Sequence, residues 1–164
     1  NVSAGAAGLA AATGATAFAL TRSPTGALAP WAEAAGAISD PRLFVVKHAI
    51  LAPNPHNRQP WIVELTGART MTLWCDLERR LPQTDPFDRQ ILIGLGCFIE
   101  LAAIAASAIG QRLEVAAFPQ GEPGDRLDRR PVAHLSLTPA PGLAVDPLFG
   151  QIPHRRSTKR PFDM

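Results

Sequence analysis

The residues best suited to chemistry lie in a short polar stretch between an apolar helical run and a strand pattern. Two prolines and an asparagine hold residues 53–55 in an irregular, extended conformation. His56, Asn57 and Gln59 then place an imidazole and two amides within four positions. A rigid loop of this kind can present hydrogen-bond donors and acceptors to a flat, polar heterocycle. Because asparagine and proline are also ordinary turn residues, a solvated helix-to-strand turn remains the alternative.

A second group of candidate binding residues lies near the end of the sequence. Arg155, Arg156, Ser157 and Arg160 bring three guanidinium groups and a hydroxyl together within six positions. Guanidinium groups make paired hydrogen bonds to phosphate oxygens, so this cluster predicts a phosphate site. By composition alone, a solvated basic segment explains the cluster equally well.

The totals exclude several other classes of function. A chain of 164 residues with 46% hydrophobic residues can build one domain with its own core. Its net charge of +2 is too small, and its basic residues too dispersed, to indicate a nucleic-acid partner. Phosphate-loop, dinucleotide-binding and nucleophile-elbow motifs are missing from the sequence.

The cysteines and histidines do not form a metal-binding pattern. Neither Cys75 nor Cys97 has a second cysteine or a histidine at metal-ligand spacing, and the four histidines are scattered. No metal ligand is therefore predicted. Buried free thiols are the expected state of both cysteines, and one disulfide is the alternative in an exported protein.

The elements that must position these residues follow from hydrophobic periodicity and cap signals. The order is helix, two strands, helix, two strands, which predicts an α+β fold with a mainly antiparallel sheet packed on helices. Asp40-Pro41 and Asp85-Pro86 are both expected to start helices, the second a long, central apolar one reaching about Ser107. Leu43, Val46 and Ile50 are assigned to the apolar face of the first helix, which should end near Ala52. The expected strands cover residues 61–65, 71–75, 112–118 and 131–137.

The long second helix could cross a membrane by length, but we expect it to lie in the core of a domain. Residues 91–109 are apolar on all sides except at Glu100, and a core helix more often carries such a single internal carboxylate. Gly94 and Gly96 would allow another backbone to approach this helix closely.

The first twenty residues carry no charge and are mostly small or apolar. Their length is near that of a bilayer span, and their composition is that of the hydrophobic part of a signal peptide. We therefore predict a leader-like apolar helix and connector over residues 1–39, with residues 1–20 serving export or membrane attachment. An alanine-rich helix packed on protein is the alternative.

Two motifs resemble those of a known family. The pattern Asn-x-Gln-Pro-Trp at residues 57–61 resembles the flavin-binding loop of the FMN-dependent nitroreductase family. The pattern Arg-Arg-Ser-x-x-Arg at residues 155–160 is similar to the phosphate motif of the same family. The resemblance covers roughly residues 40–164, including the helix before the loop, the strand after it and the long apolar helix.

This resemblance implies a nitroreductase-like α+β fold and FMN as cofactor. Members of the family need no protein nucleophile, because the flavin N5 atom carries the hydride, so no catalytic residue is predicted. The polar groups of the loop would meet the flavin ring, and the basic motif would hold the phosphate. The implied cofactor-binding residues are His56, Asn57, Gln59, Arg155, Arg156, Ser157 and Arg160.

The order of the two motifs departs from that of ordinary family members, in which the basic motif comes first. It is most similar to that of the exported, tandemly duplicated branch, whose members carry a twin-arginine leader. On this resemblance, residues 40–150 form a half domain and residues 151–164 open a second half. The second half, or another chain of a dimer, would complete the flavin site.

The resemblance implies an oxidoreductase that passes electrons from a reduced nicotinamide to a nitro compound, a quinone or a similar acceptor. It also implies an exported location, either periplasmic or attached to the outer face of the cytoplasmic membrane. Two alternatives stay open: a protein that binds or sequesters flavin without turnover, and an accessory subunit of a larger, membrane-associated assembly. An apolar lid over the ring would favour sequestration, and an open pocket would favour the enzyme.

Overall fold

The computed structural model describes residues 38–157 together with residues 16, 17, 26, 29 and 30. The chain divides into two units, Asn1–Glu33 and Ala34–Met164. In the first unit the five described residues are helical. The helix predicted over residues 1–20 therefore lies outside the described residues except at Thr16 and Ala17, and Arg160 also lies outside them.

The second unit contains a four-stranded, fully antiparallel sheet, as the sequence predicted. The strands are β1 (Trp61–Leu65), β2 (Thr70–Cys75), β3 (Gln111–Ala117) and β4 (Ala133–Pro139), arranged in the order β1-β2-β4-β3. Residues 66–69 form the hairpin turn between β1 and β2. Two helices, α1 (Pro41–Ala49) and α2 (Arg89–Ser107), complete the α+β architecture.

A single apolar core forms around α2, α1 and one face of the sheet. Strand β4 shows why the sheet has two different faces, since Ala133, Leu135 and Leu137 are buried while His134 between them is exposed. The side chains of Trp61 on β1 and Phe98 on α2 pack with ring centroids 5.3 Å apart. The core is thus continuous from the sheet into α2, which gives that helix a fixed place.

Helix α1 begins where the sequence predicted but presents a different face to the core. Asp40 is its N-cap, and its carboxylate accepts hydrogen bonds from the backbone N–H and the guanidinium of Arg42. Val45 and Ala49 are fully buried, whereas Leu43 is exposed, so the predicted apolar face was wrong at Leu43. The helix also ends at Ala49, because residues 50 and 51 form a turn that leads into the polar loop.

Helix α2 starts at Arg89, later than the predicted Asp85-Pro86 start. The residue before it, Asp88, adopts a left-handed conformation with a φ of 54°, which separates the preceding turns from the helix. Asp85 nevertheless caps the helix from a distance, since its Oδ2 atom accepts the backbone N–H of Ile91 at 3.0 Å. The buried carboxylate of Asp88 pairs with Arg80 at 3.2 Å. Together the two aspartates fix the helix start in the body of the domain.

One stripe of α2 remains open to solvent. Ile91, Leu95 and Phe98 are fully buried, but Ile93 is 67% exposed and Glu100 is also exposed. The prediction that Glu100 is an internal carboxylate was therefore wrong. Length and composition alone would allow α2 to cross a membrane. Half of its most apolar 18-residue stretch is buried within the domain.

We predict a pH-dependent effect of removing the charge of Asp40. Hydrogen bonds from the side chain and then the backbone of Arg42 lower the pKa of Asp40 to about 2 from 3.8. Its charge therefore stabilises the fold above pH 4, and this contribution is lost as the pH falls through about 2. We expect Asp40→Asn to reduce the free energy of unfolding near neutral pH, with the difference from wild type shrinking between pH 4 and pH 2.

Denaturant unfolding of both proteins across this pH range measures the difference. Asp125→Asn, which changes an exposed carboxylate in the loop before β4, is the matched control and should show no such pH dependence. A constant difference between Asp40→Asn and wild type over the whole range would contradict the charge argument.

Candidate functional site

A groove lies where the polar loop between α1 and β1 crosses α2. Its volume is about 310 Å³, and its walls come from the loop, from α2 and from the last described residue of the chain. Pro53, Pro55 and Ile93 supply apolar surface, whereas Asn54, Gln90 and Ser157 supply polar groups. Among the described residues that line the groove there is no carboxylate, and such a lining suits a ligand that is neutral or anionic.

Gly94 is the residue of α2 that allows the loop to come this close. A Cβ atom at this position would lie 3.1 Å from Cβ of Asn54 and 3.3 Å from Cδ of Pro55. The close approach predicted for Gly94 is thus confirmed. At Gly96, in contrast, a Cβ atom would meet nothing within 4 Å, so this part of the helix is open.

The loop itself has a strained backbone. His56, Asn57 and Gln59 have φ angles of 49°, 51° and 49°, in the left-handed region that residues with side chains seldom occupy. Such conformations cost free energy and persist only where surrounding contacts enforce them. Three of them within four residues indicate that the loop is held in a specific shape.

The three predicted ring-binding residues differ in their surroundings. The side chains of His56 and Asn57 are exposed, and Gln59 is partly buried. The Gln59 side-chain Nε2 donates to Oδ1 of Asn57 at 3.4 Å, which places the two amides side by side. None of the three lines the groove wall, whose loop part is residues 53–55. Their contact with a flavin ring stays a prediction.

Arg58, between these residues, points to a different part of the domain. Its guanidinium donates to the backbone carbonyls of Arg79 and Glu78 at 2.9 and 3.1 Å. Arg79 returns a hydrogen bond of 3.1 Å to the carbonyl of Arg58. This exchange anchors the loop to the 3₁₀ helix Leu77–Arg79 after β2.

The 149–157 segment brings the second predicted group to the same place. It starts with a 3₁₀ helix, Phe149–His154, whose Phe149 ring packs on Phe44 and on the buried His48 of α1. Ser157 then reaches the groove wall beside residues 53–55. Two stretches about a hundred residues apart in sequence therefore meet within one chain.

Arg155 fastens this segment to the end of α1. Its Nη2 and Nε atoms donate to the carbonyl of Leu51 at 2.9 and 3.2 Å. Burial lowers the pKa of the Arg155 guanidinium, and the neighbouring charge of Arg156 acts in the same direction. In this conformation the Arg155 guanidinium is bonded to the Leu51 carbonyl, and its predicted contact with phosphate stays a prediction.

Arg156 is exposed, and its guanidinium donates to the carbonyls of Pro153 and Arg155 at 2.8 and 2.7 Å. Of the predicted phosphate group, Ser157 is the member that lines the groove among the described residues, and Arg156 is its exposed neighbour in the chain.

Sequence reasoning missed the contribution of α2 to the wall. Gln90, Ile93 and Cys97 face the groove from the partly exposed stripe of this helix. Their spacing of three and four residues is a helical-face signal that was present in the sequence. Both cysteines are free, as predicted, but Cys97 is only partly buried, so the predicted burial was wrong for this residue. Cys75 is buried in the core, and this burial raises the pKa of its thiol to about 12.

Two other hollows on the described surface are larger. One, of about 390 Å³, lies beside the turn after β4, and one of about 440 Å³ lies over Ile62 and Trp74 on the outer face of the sheet. Neither contains a residue of the polar loop or of the basic motif. Among the described residues no cluster of three or more His, Cys, Asp or Glu side chains could hold a metal ion. Of these three hollows, only the groove at α2 is lined by residues of both the polar loop and the basic motif.

The chain is similar in sequence to several proteins of Mycobacterium tuberculosis. It is 29% identical to "Putative NAD(P)H nitroreductase Rv3131" over 119 residues, which are 72% of this chain and 33% of that protein. It is 35% identical to "Putative NAD(P)H nitroreductase acg" over 95 residues, 58% of this chain and 27% of that protein. It is also 30% identical to "Uncharacterized protein Rv3127" over 129 residues, 73% of this chain and 36% of that protein.

The chain spans about a third of the length of these curated relatives. No family model matches it. The printed names of two of these relatives, both putative NAD(P)H nitroreductases, support a likeness to the nitroreductase family.

We predict that alanine substitutions at the two glycines of α2 will have opposite effects. Gly94→Ala should lower the free energy of unfolding, because the overpacking cost of about 1–3 kcal/mol against a rigid loop exceeds the gain in helix propensity. Gly96→Ala, at an open position of the same helix, should stabilise the protein by about 0.5–1 kcal/mol. Denaturant unfolding measures both, and equal effects would show that the loop does not press on Gly94.

Proposed function

We propose that this chain forms part of an FMN-dependent oxidoreductase of nitroreductase type. It would pass electrons from a reduced nicotinamide to a nitro compound, a quinone or a similar acceptor. The observation that carries the proposal is the groove at α2. There the strained polar loop and the Arg155-Arg156-Ser157 segment meet, in a chain similar to proteins named as NAD(P)H nitroreductases.

The groove fits part of a flavin ring. Its proline and isoleucine side chains offer apolar surface to a ring face, and amide groups of Asn54 and Gln90 offer hydrogen bonds to polar ring atoms. Its volume of about 310 Å³ lies at the lower end of the range for small-molecule sites. The proposal therefore includes a further wall, supplied by a second half of the protein or by a second chain.

The phosphate would be held at the rim by Arg156 and Ser157, with Arg160 as a third contributor. A guanidinium and a hydroxyl are suited to phosphate oxygens, because charge-assisted hydrogen bonds are the stronger kind. Arg155 would act beside them by holding the segment against Leu51. His56, Asn57 and Gln59 would meet the pyrimidine edge of the ring from the exposed side of the loop.

The bound flavin supplies the hydride chemistry, and the residues of this chain bind and orient it. Pro53, Pro55 and Ile93 would exclude water from one side of the ring. An exported location, attached to the membrane through residues 1–20 or periplasmic, belongs to the same proposal.

Equilibrium titration of FMN into the full-length protein tests the assignment. Arg156→Ala should weaken FMN binding by roughly ten- to a hundredfold, which corresponds to the loss of a charge-assisted hydrogen bond. Arg129→Ala, at an exposed arginine in the loop before β4, is the matched control and should leave the affinity unchanged. No flavin binding by the wild type, or equal affinities for wild type and Arg156→Ala, would refute the proposal.

A second measurement separates catalysis from storage. Mixing the flavin-loaded protein with reduced nicotinamide in the absence of oxygen should bleach the flavin absorbance, and adding a quinone or a nitro compound should restore it. Flavin that stays oxidised throughout would exclude the oxidoreductase and leave a flavin-binding protein.

A further inference from the structure

We propose that Asn54 is the positioning residue of the candidate site, which holds the polar loop in its strained shape against α2. The inference rests on the proposed function, since it concerns how the same groove is built. The strained part of the loop, residues 56–59, would not keep its conformation without Asn54. The residues predicted to meet the ring would then lose their fixed orientation.

The first support is the set of hydrogen bonds that Asn54 makes within the loop. Its Oδ1 atom accepts the backbone N–H of Gln59 at 2.7 Å, and its Nδ2 atom donates to the carbonyl of Ala52 at 3.1 Å. Its own carbonyl accepts the backbone N–H of Asn57 at 3.3 Å. One residue thus ties the end of α1 to both halves of the strained segment.

The second support is the conformation that these bonds enforce. His56, Asn57 and Gln59 all lie in the left-handed region, which is unfavourable for residues other than glycine. Two backbone hydrogen bonds hold the loop from within: the N–H of Asn57 donates to the carbonyl of Asn54, and the N–H of Arg58 donates to the carbonyl of Pro55. The Gln59 N–H has no backbone partner there, so the Asn54 side chain is what holds the third left-handed residue.

The third support is the contact of Asn54 with the helix. Its Cα and Cβ atoms lie above Gly94 so closely that a Cβ atom there would be 3.4 and 3.1 Å from them. Asn54 therefore lies between the loop and α2, and it also lines the groove. A change at Asn54 alters the loop at the point where it borders the groove.

Asparagine suits this role because its carboxamide carries an acceptor oxygen and a donor nitrogen on the same carbon. Aspartate keeps the acceptor for Gln59 and loses the donor to Ala52. Alanine loses both. Comparing Asn54→Asp with Asn54→Ala thus separates the effect of the bond to Gln59, which holds the strained segment, from that of the bond to Ala52.

The flavin-free protein provides the first test, through hydrogen exchange of individual amides. In Asn54→Ala the Gln59 amide should exchange at least about tenfold faster, while amides of β1 and α2 keep their wild-type rates. Asn54→Asp should restore the Gln59 rate to within about threefold of wild type. Gln120→Ala, an exposed amide between β3 and β4, is the control and should change none of these rates.

The flavin-loaded protein provides the second test. Asn54→Ala should weaken FMN binding about tenfold, as expected for one lost hydrogen bond, and should shift the midpoint potential of the flavin. A structural role alone would lower the melting temperature without moving the potential.

The outcomes distinguish the two proposals. An unchanged Gln59 exchange rate in Asn54→Ala overturns the positioning role, whatever flavin does. Faster exchange with unchanged affinity and potential overturns its importance for the site. Faster Gln59 exchange in Asn54→Ala, together with a wild type that binds no flavin, supports the positioning role of Asn54 and refutes the flavin site. Should Asn54→Ala not fold, hydrogen exchange of the wild type still tests the bond from the Gln59 N–H to the Asn54 side chain. The Gln59 amide should then exchange at least about tenfold more slowly than in the unfolded chain, and a Gln59 amide without protection would overturn the proposal.

Discussion

The candidate site depends on the close approach of residues 53–55 to Gly94 on α2. At this crossing a Cβ atom on the helix would lie only 3.1 Å from the loop. Helix α2 is itself fixed, because Ile91, Leu95 and Phe98 are fully buried and Asp85 caps its first turn. The loop thus rests on the most buried helix of the domain. Because the helix is already fixed, the shape of the groove depends further only on the few hydrogen bonds that hold the loop.

Where structure follows from adjacent residues, the sequence was sufficient to predict it. The Asp40-Pro41 cap and the alternation of β4 are such cases, because both depend on contacts within a few positions. The start of α2 could not be found in this way. Its cap comes from Asp85, six residues before the N–H that it accepts, and a left-handed Asp88 intervenes. The Asp85-Pro86 pair therefore predicted a helix start in this region but not at Arg89.

The site shows the same division. The types of residue in the polar loop and in the basic motif indicated binding, and the structure places both stretches beside one groove. The local sequence could not show that Arg155 would bond the Leu51 carbonyl or that Arg58 would turn toward Arg79. Both bonds join a side chain to a backbone atom far along the chain. Because the acceptor in both bonds is a backbone carbonyl, which every residue carries, the pattern of side chains in the sequence does not predict these bonds.

The bond between Arg155 and Leu51 has a consequence for the order of folding events. It joins residues 104 positions apart, so it closes a loop that includes the whole sheet and α2. Closing so long a loop is entropically costly until the intervening elements have formed, whereas the β1–β2 hairpin closes locally. Ser157 should therefore reach the groove after the rest of the domain is built. In the finished protein, the 149–157 segment should also detach before the sheet unfolds, so the site would gain and lose one wall without passing through the denatured state.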